Sequence, residues 1–151
     1  MQAAVRKHVT HPIEYRRFRP EESDVLPRFF LQAGYTHPIT AEDTGWGAWS
    51  DGDLVGAVAL SSIQGSWLLR GPEIVSGYRR RGVGAALLDL ALPEIRGIEC
   101  YCPAYSNLVR MYSRLGFRVC LPAEAPPYFA QLFAIVRKTQ LNLVLLKRPA
   151  D

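Results

Sequence analysis

The segment from Trp46 to Ser62, WGAWSDGDLVGAVALSS, leaves the chain few options. Short apolar stretches flank Asp51-Gly52, a dipeptide that accepts positive φ at both turn positions, and this pattern predicts a β-hairpin. A second turn at Gln64-Gly65-Ser66 leads into WLLRGPEIV, so an antiparallel meander of three strands is expected. Gly71-Pro72 interrupts the third strand. Proline lacks the ladder N–H and glycine weakens a strand, so a bulge is expected there, with backbone groups released towards a ligand.

The rest of the chain alternates between strand and helix periods. Ile13 to Arg19 alternates apolar and polar side chains as a half-buried strand does, and a helix follows between Pro20 and Gly34. Thr36 to Thr44 reads as a loop or short helix. Val83 to about Leu92 has helical spacing and Pro93 marks its end; IRGIECYC, from Ile95, reads as a short buried strand. SNLVRMYSRLGFRVC reads as a helix closed by Gly116 and a strand from Phe117, followed by a helix from Tyr128 to Val136 and a terminal strand, LNLVLL. Interleaved in this way, the elements predict an α/β (α+β) class with a mixed sheet. At 151 residues the chain suits one domain, residues 12–151, preceded by a loose arm over residues 1–11.

With 48% hydrophobic and 21% charged residues, and no apolar run of bilayer length, neither a disordered nor a membrane-spanning chain is expected. A net charge of +4 permits an anionic ligand without demanding one. The three cysteines, Cys100, Cys102 and Cys120, form an odd set with no secretory segment before them, which favours a reducing, cytoplasmic setting. Cys100 and Cys102 share a strand face and read as small buried hydrophobes in preference to a metal site; no metal is expected.

Tyr78 to Leu92, YRRRGVGAALLDLAL, sets three arginines and two glycines in front of a helix. A helix start offers free N–H groups and a partial positive charge, and glycines let a phosphate approach the backbone. The amides of Arg81, Gly82, Val83, Gly84 and Ala85 would hold a diphosphate, with Arg79, Arg80 and Arg81 adding charge, although not all three can point inward. An exposed basic helix start is the plain alternative, and a basic residue there opposes the helix dipole. Neither a Walker loop nor a dinucleotide fingerprint matches.

These residues resemble the GNAT superfamily of acyl-CoA-dependent N-acyltransferases. Its "V-x-P-x-(Y/W)-R" strand end, running into "(Q/R)-x-x-G-x-(G/A)", is similar to Ile74 to Gly84 here, with Ser76 in place of the usual proline. Its "Y-x-x-L-G-F" element is similar to Tyr112 to Phe117. The resemblance covers residues 13–147 and implies a GNAT-like single domain. Such a domain has a mixed, mostly antiparallel sheet of about six to seven strands, with helices on its flanks and a splayed central strand pair. LLRGPEIV also resembles a strand of small members grouped with arsenic-resistance N-acetyltransferases, a match too short to name a substrate.

The resemblance implies an acetyl-CoA-dependent N-acetyltransferase acting on the primary amine of a small molecule by direct transfer in a ternary complex. A non-catalytic coenzyme A-binding module and acetylation of a protein amine stand as alternatives. Ile74 and Val75 would lend backbone N–H groups to the thioester carbonyl and pantetheine arm. Tyr112 would protonate the departing sulfur, or else simply pack beside Leu115 and Phe117. Glu73 beside the bulge would be the base, with solvent exposure, a pair with Arg70 or a water relay as alternatives. Where many members carry a coenzyme A-contacting asparagine this chain has Tyr105, and Asn107 is the nearest substitute. A glutamate base of some members aligns with Cys100, so that role does not transfer. Acceptor contacts would come from Tyr35, His37, Glu42, Asp43, Trp46, Tyr128 and Phe129. No nucleic-acid or membrane partner is expected, and the chain should be a monomer or a homodimer, with LNLVLL as a candidate pairing edge.

Overall fold

The computed structural model describes residues 12–35 and 39–150. The proposed N-terminal arm and His37 lie outside them. Seven strands form one sheet in the order β1-β2-β3-β4-β5-β7-β6. They are β1 (Ile13–Arg17), β2 (Thr44–Ser50), β3 (Asp53–Ile63), β4 (Ser66–Ile74), β5 (Cys100–Tyr105), β6 (Arg118–Val119) and β7 (Leu143–Arg148). All neighbours are antiparallel except β4 and β5. The α-helices among the described residues are α1 (Val25–Gln32), α2 (Val83–Ala91), α3 (Val109–Ser113) and α4 (Pro127–Arg137).

Both meander turns form as expected. Asp51 and Gly52 have φ of 50° and 85°, and Gln64 and Gly65 have 53° and 85°, the double left-handed conformation that follows the strand twist. Strand parity then divides the core between the two faces of the sheet. Val58, Leu60, Leu69, Cys100, Cys102 and Leu146 pack under Leu87, Leu88 and Ala91 of α2 and Tyr112 of α3. On the opposite face, Ala57 and Ala59 meet Leu26 and Phe30 of α1, while Leu68, Tyr101 and Leu145 meet Phe129 and Phe133 of α4. Cys100 and Cys102 are therefore buried members of one face, and all three cysteines are free.

Several expected boundaries move. The helix between Pro20 and Gly34 divides into a 3-10 turn, Pro20–Glu22, and α1. The strand expected from Ile95 starts only at Cys100: Leu92–Ile95 continues the helix as a 3-10 turn, Ile95 plugs the core, and Gly97, with φ 77°, redirects the chain. The strand after Gly116 keeps just two residues. β7 pairs with β5 along its whole length, whereas β6 meets it only at Leu146 and Lys147, so LNLVLL is covered by a strand on one side and only at its end on the other.

The entrance to α1 is held by an ion pair. Arg16 donates from both terminal nitrogens to Glu22, each at 2.9 Å, its guanidinium lies 3.8 Å from the Trp49 ring centre, and Glu22 also accepts from the Arg19 amide at 2.7 Å. The Arg16 hydrogen bonds, together with the backbone bond from Arg19, hold the Glu22 carboxyl down at about 2. A depressed folded-state pKa stabilises above the unfolded carboxylate range, and that contribution is lost as pH falls through the folded value. Both side chains are about one-fifth exposed, so screening limits the effect. Glu22→Gln should cost about 1 kcal/mol at pH 7. Urea denaturation should show the gap between variant and wild type closing between about pH 4.5 and 2; a gap independent of pH would contradict this account.

Candidate active site at the strand splay

β4 and β5 pair only at Trp67↔Cys100 and Leu68↔Tyr101. Beyond that point each strand carries a proline, Pro72 or Pro103, with no N–H to offer, and the two diverge. The bulge expected at Gly71-Pro72 is present. Ala57 pairs with Glu73 and Ala59 with Arg70, so two residues of β4 oppose Val58 alone, across a cis Gly71-Pro72 bond. A Cβ on Gly71, at φ 91°, would lie 2.9 Å from the Glu73 nitrogen and 3.1 Å from the Ala57 oxygen, so only glycine fits.

A cavity of about 210 Å³ occupies the splay. Its walls include Tyr35 after α1, Arg70, Gly71, Pro72 and Glu73 of β4, Pro103 and Tyr105 of β5, Tyr112 of α3, and Leu132 and Val136 of α4. Tyr112 and Glu73, far apart in sequence, thus share one cavity. Tyr112 is 2% exposed and donates its hydroxyl to the Gly71 carbonyl at 2.9 Å, which ties α3 to the bulge. Its ring meets Phe117 edge-on at 5.7 Å, and the Leu115 and Phe117 amides both return to the Tyr112 carbonyl through the Gly116 turn. Packing against Phe117 and hydrogen bonding at the cavity therefore coexist in one residue. Burial keeps the phenol well above its ordinary pKa, reinforced by the Cys102 thiol beside it; burial pushes that thiol up to about 12.

Glu73 is half-buried. Burial raises its carboxyl above the ordinary range, and the cation acting against that rise is Arg79. Arg79 itself donates through Nε to the Ile74 carbonyl at 3.1 Å.

The expectation for the two amides needs correction. Val75 N–H donates to the Val55 carbonyl at 2.8 Å and is taken by the sheet. Antiparallel ladders alternate direction, so the Ile74 N–H points away from β3, towards the splay. Ile74 alone retains the expected orientation.

The arginine-glycine turn abuts the other end of this opening. Arg80 and Gly82 are left-handed, with φ of 64° and 80°, and the first helical bond of α2 is Ala86 N–H to Gly82 carbonyl at 3.1 Å. The amides of residues 81–85 thus precede the helical ladder, and those of residues 82–85 have no intrahelical acceptor. A Cβ on Gly84 would approach Pro72 Cγ to 3.1 Å, so the absent side chain lets the turn press against the bulge. All three arginines are exposed; Arg81 lies 5.3 Å from the Tyr78 ring centre.

Other candidates scatter. Asn107 is exposed in the 3-10 turn Ser106–Leu108 and lies outside the cavity wall, where Tyr105 stands instead, its hydroxyl donating to Gln140 Oε1 at 2.7 Å. Trp46 packs on the α2 face, away from the cavity, and Phe129 stacks on Tyr101 in the core at 4.9 Å. Glu42 and Asp43 line a separate surface depression near Arg17. Tyr35 does reach the cavity. Sequence reasoning missed Arg70 as a cavity residue, because a lone arginine in a strand reads as solvent-facing; at 6% exposure it is buried.

Residues 14–126 match the family of the acetyltransferase (GNAT) domain. No curated protein matches the sequence. Among solved structures, N-acetylglutamate synthase from Neisseria gonorrhoeae, complexed with coenzyme A and N-acetyl-glutamate, superposes with a TM-score of 0.66 at 17% identity, over 93% of this chain and 35% of that one. The present chain thus spans about a third of that synthase. Rv2747 from Mycobacterium tuberculosis, in complex with CoA and NLQ, gives 0.64 at 14% identity over 91% and 99% of the two chains. A GNAT-family acetyltransferase from Staphylococcus aureus Mu50 gives 0.61 at 18%, over 93% and 100%. At these identities the likeness to solved structures is one of fold. The seven-stranded sheet with its single parallel, splayed pair, together with a family match extending from β1 beyond the Tyr112 turn, establishes that this chain belongs to the GNAT family of acetyltransferases.

Proposed function

We propose that the chain transfers an acetyl group from acetyl-CoA to the primary amine of a small molecule, by direct attack within a ternary complex. The observation that carries this reading is the meeting of Glu73 and Tyr112 at one cavity whose bulge abuts the glycine turn, with the Ile74 amide next along β4 turned away from β3. The residues fit such a donor: left-handed backbone at Arg80 and Gly82 and five amides ahead of the helical ladder suit a diphosphate, and the strand opening suits an extended arm. When bound, the thioester supplies an activated acyl carbon and a thiolate leaving group.

The chain's own groups supply the rest. Glu73, ionised, takes a proton from the ammonium form of the amine, directly or through one water, so that the neutral nitrogen can bond to the acyl carbon; the proton this nitrogen then loses replaces the one that Tyr112 gives to the sulfur. The Ile74 N–H faces the negative charge that develops on the carbonyl oxygen. Tyr112 holds a proton in reach of the opening and delivers it as the carbon–sulfur bond breaks. Free, buried thiols fit a cytoplasmic setting, and no helix among the described residues is long and apolar enough to cross a membrane.

Calorimetric titration tests the donor site. Acetyl-CoA should bind in about the micromolar range, and Gly84→Leu, which drives a side chain into Pro72, should weaken it about tenfold. Gly82→Leu adds the strain of a left-handed non-glycine residue and should weaken binding similarly. Unchanged affinity in both variants would refute the assignment. Tight binding without thiol release across a broad amine screen would leave a coenzyme A-binding module as the function.

A further inference from the structure

Most polar groups around the cavity bond to one another, and the exceptions describe the molecule that would enter it. Glu73 lies opposite Ala57 in the β3–β4 ladder, and Ala57 packs against α1, so the carboxylate leaves the sheet on the α1 and α4 face. Pro103 and Tyr105 lie opposite Leu145 and Leu143, which pack under α4, and share that face. The glycine turn assigned to the donor opens α2, on the other side of the sheet. The chamber on the α1 and α4 face is left to the acceptor.

Hydrogen bonding sorts the groups of its wall. The Tyr112 hydroxyl donates to the Gly71 carbonyl, the Tyr105 hydroxyl to Gln140, and the Thr139 hydroxyl to the Val136 carbonyl at 3.3 Å. Arg70 has an interaction of its own within the chain, with which a ligand anion would have to compete. Two groups differ. The Glu73 carboxylate joins no hydrogen bond or close ion pair among the described residues, and the Tyr35 hydroxyl has no hydrogen-bond partner among them either. Tyr35 stands edge-on to the Phe30 ring at 4.8 Å, and a Cβ on Gly71 would meet that same ring at 3.4 Å, so Tyr35 and the bulge flank one side chain. The Tyr35 phenol accordingly feels the Glu73 charge. A carboxylate in a cavity is costly until a cation answers it, and a neighbouring hydroxyl oxygen can accept a second N–H from that cation. Beyond these two groups, Leu132, Val136 and Leu143 present only carbon, against which a second ammonium would be desolvated without recompense.

We infer that the acceptor is an apolar monoamine, its ammonium received between the Glu73 carboxylate and the Tyr35 hydroxyl and its carbon body laid along Leu132, Val136 and Leu143. This rests on the acetyltransferase reading above and narrows it. The test measures thiol release from acetyl-CoA with two matched pairs of amines. Pentylamine is set against butane-1,4-diamine, which puts an ammonium where the other has a methyl group, and 2-phenylethylamine against L-phenylalanine, which adds a carboxylate. In both pairs the apolar member should exceed its partner in kcat/KM about tenfold or more, the discrimination of a pocket that would otherwise bury an unmatched charge. Val136→Asp should bring the first ratio to about one or below, because it supplies a carboxylate for the second ammonium; lost packing alone would lower both rates and keep the ratio. Tyr35→Phe retains the ring on Phe30, and should raise the KM for the amine about tenfold while leaving that for acetyl-CoA unchanged.

Retained acetyl-CoA affinity shows that each variant is folded. If Val136→Asp fails that criterion, the wild-type ratios and Tyr35→Phe decide. Equal or faster turnover of the diamine or of phenylalanine, acetylation of other amines but of neither monoamine, a ratio unmoved in Val136→Asp, or an unchanged amine KM in Tyr35→Phe would each overturn the inference while leaving the transferase reading in place. Failure of the wild-type protein to bind acetyl-CoA, or to release thiol with any amine, would instead overturn the transferase reading, and this inference with it.

Discussion

Tyr112→Phe should lower kcat about a hundredfold while leaving the KM for acetyl-CoA nearly unchanged, and the loss should be the same from pH 6 to 9. The substitution removes one oxygen and keeps the ring that packs on Phe117. Burial and the Cys102 thiol hold the phenol above its ordinary pKa, so it is protonated throughout that range and its contribution cannot titrate. The hydroxyl also donates to the Gly71 carbonyl, so its loss should reduce stability by about 1 kcal/mol. That cost is too small to unfold the domain, which separates the kinetic effect from a structural one. Steady-state thiol release against pH, with thermal melting alongside, provides the measurement. An unchanged kcat would reduce Tyr112 to a packing residue that braces the bulge.

The parts of this site differ in how far the sequence reveals them, and the difference is physical. The two meander turns were legible because Asp51-Gly52 and Gln64-Gly65 are local devices: positive φ at adjacent positions needs no distant partner. The bulge was legible for the same reason, since Pro72 disables its own ladder position. The splay was only half legible. It needs Pro103 as well, and nothing local says that β5 runs on through that proline beside β4. The Tyr112 to Phe117 element marked its own turn, but the target of the hydroxyl is a carbonyl on another strand, set by tertiary packing. Strand parity decided the remaining cases. Trp46 and Phe129 looked suited to an acceptor pocket, yet each faces a core cluster, whereas Arg70, unremarkable in sequence, is turned into the cavity. Val75 was misjudged on the same ground, because which of two neighbouring amides a ladder consumes depends on register with β3.

Glu73→Gln should have the largest effect on catalysis, a fall in kcat of about 10²- to 10³-fold at pH 7. An aliphatic amine is mostly protonated at that pH, and a general base in the cavity is what makes the neutral nucleophile available. Above about pH 9 the amine loses its proton to solvent unaided, so the gap between variant and wild type should narrow there. The wild-type acid limb should lie above the ordinary glutamate range, because burial raises the Glu73 carboxyl against the pull of Arg79, and only the ionised form can accept a proton. Activity is therefore lost as pH falls through that raised value, and Glu73→Gln should lack this limb. Stability should move the other way. A carboxyl whose pKa is raised by folding destabilises the native state wherever it is ionised, so the neutral amide should leave Tm unchanged or higher at pH 7. A variant that is slower yet no less stable, with its deficit shrinking towards high pH, is the signature of a lost base. A deficit constant across pH, or accompanied by a lower Tm, would transfer the proton-accepting role to water and leave Glu73 as a neighbour of the bulge.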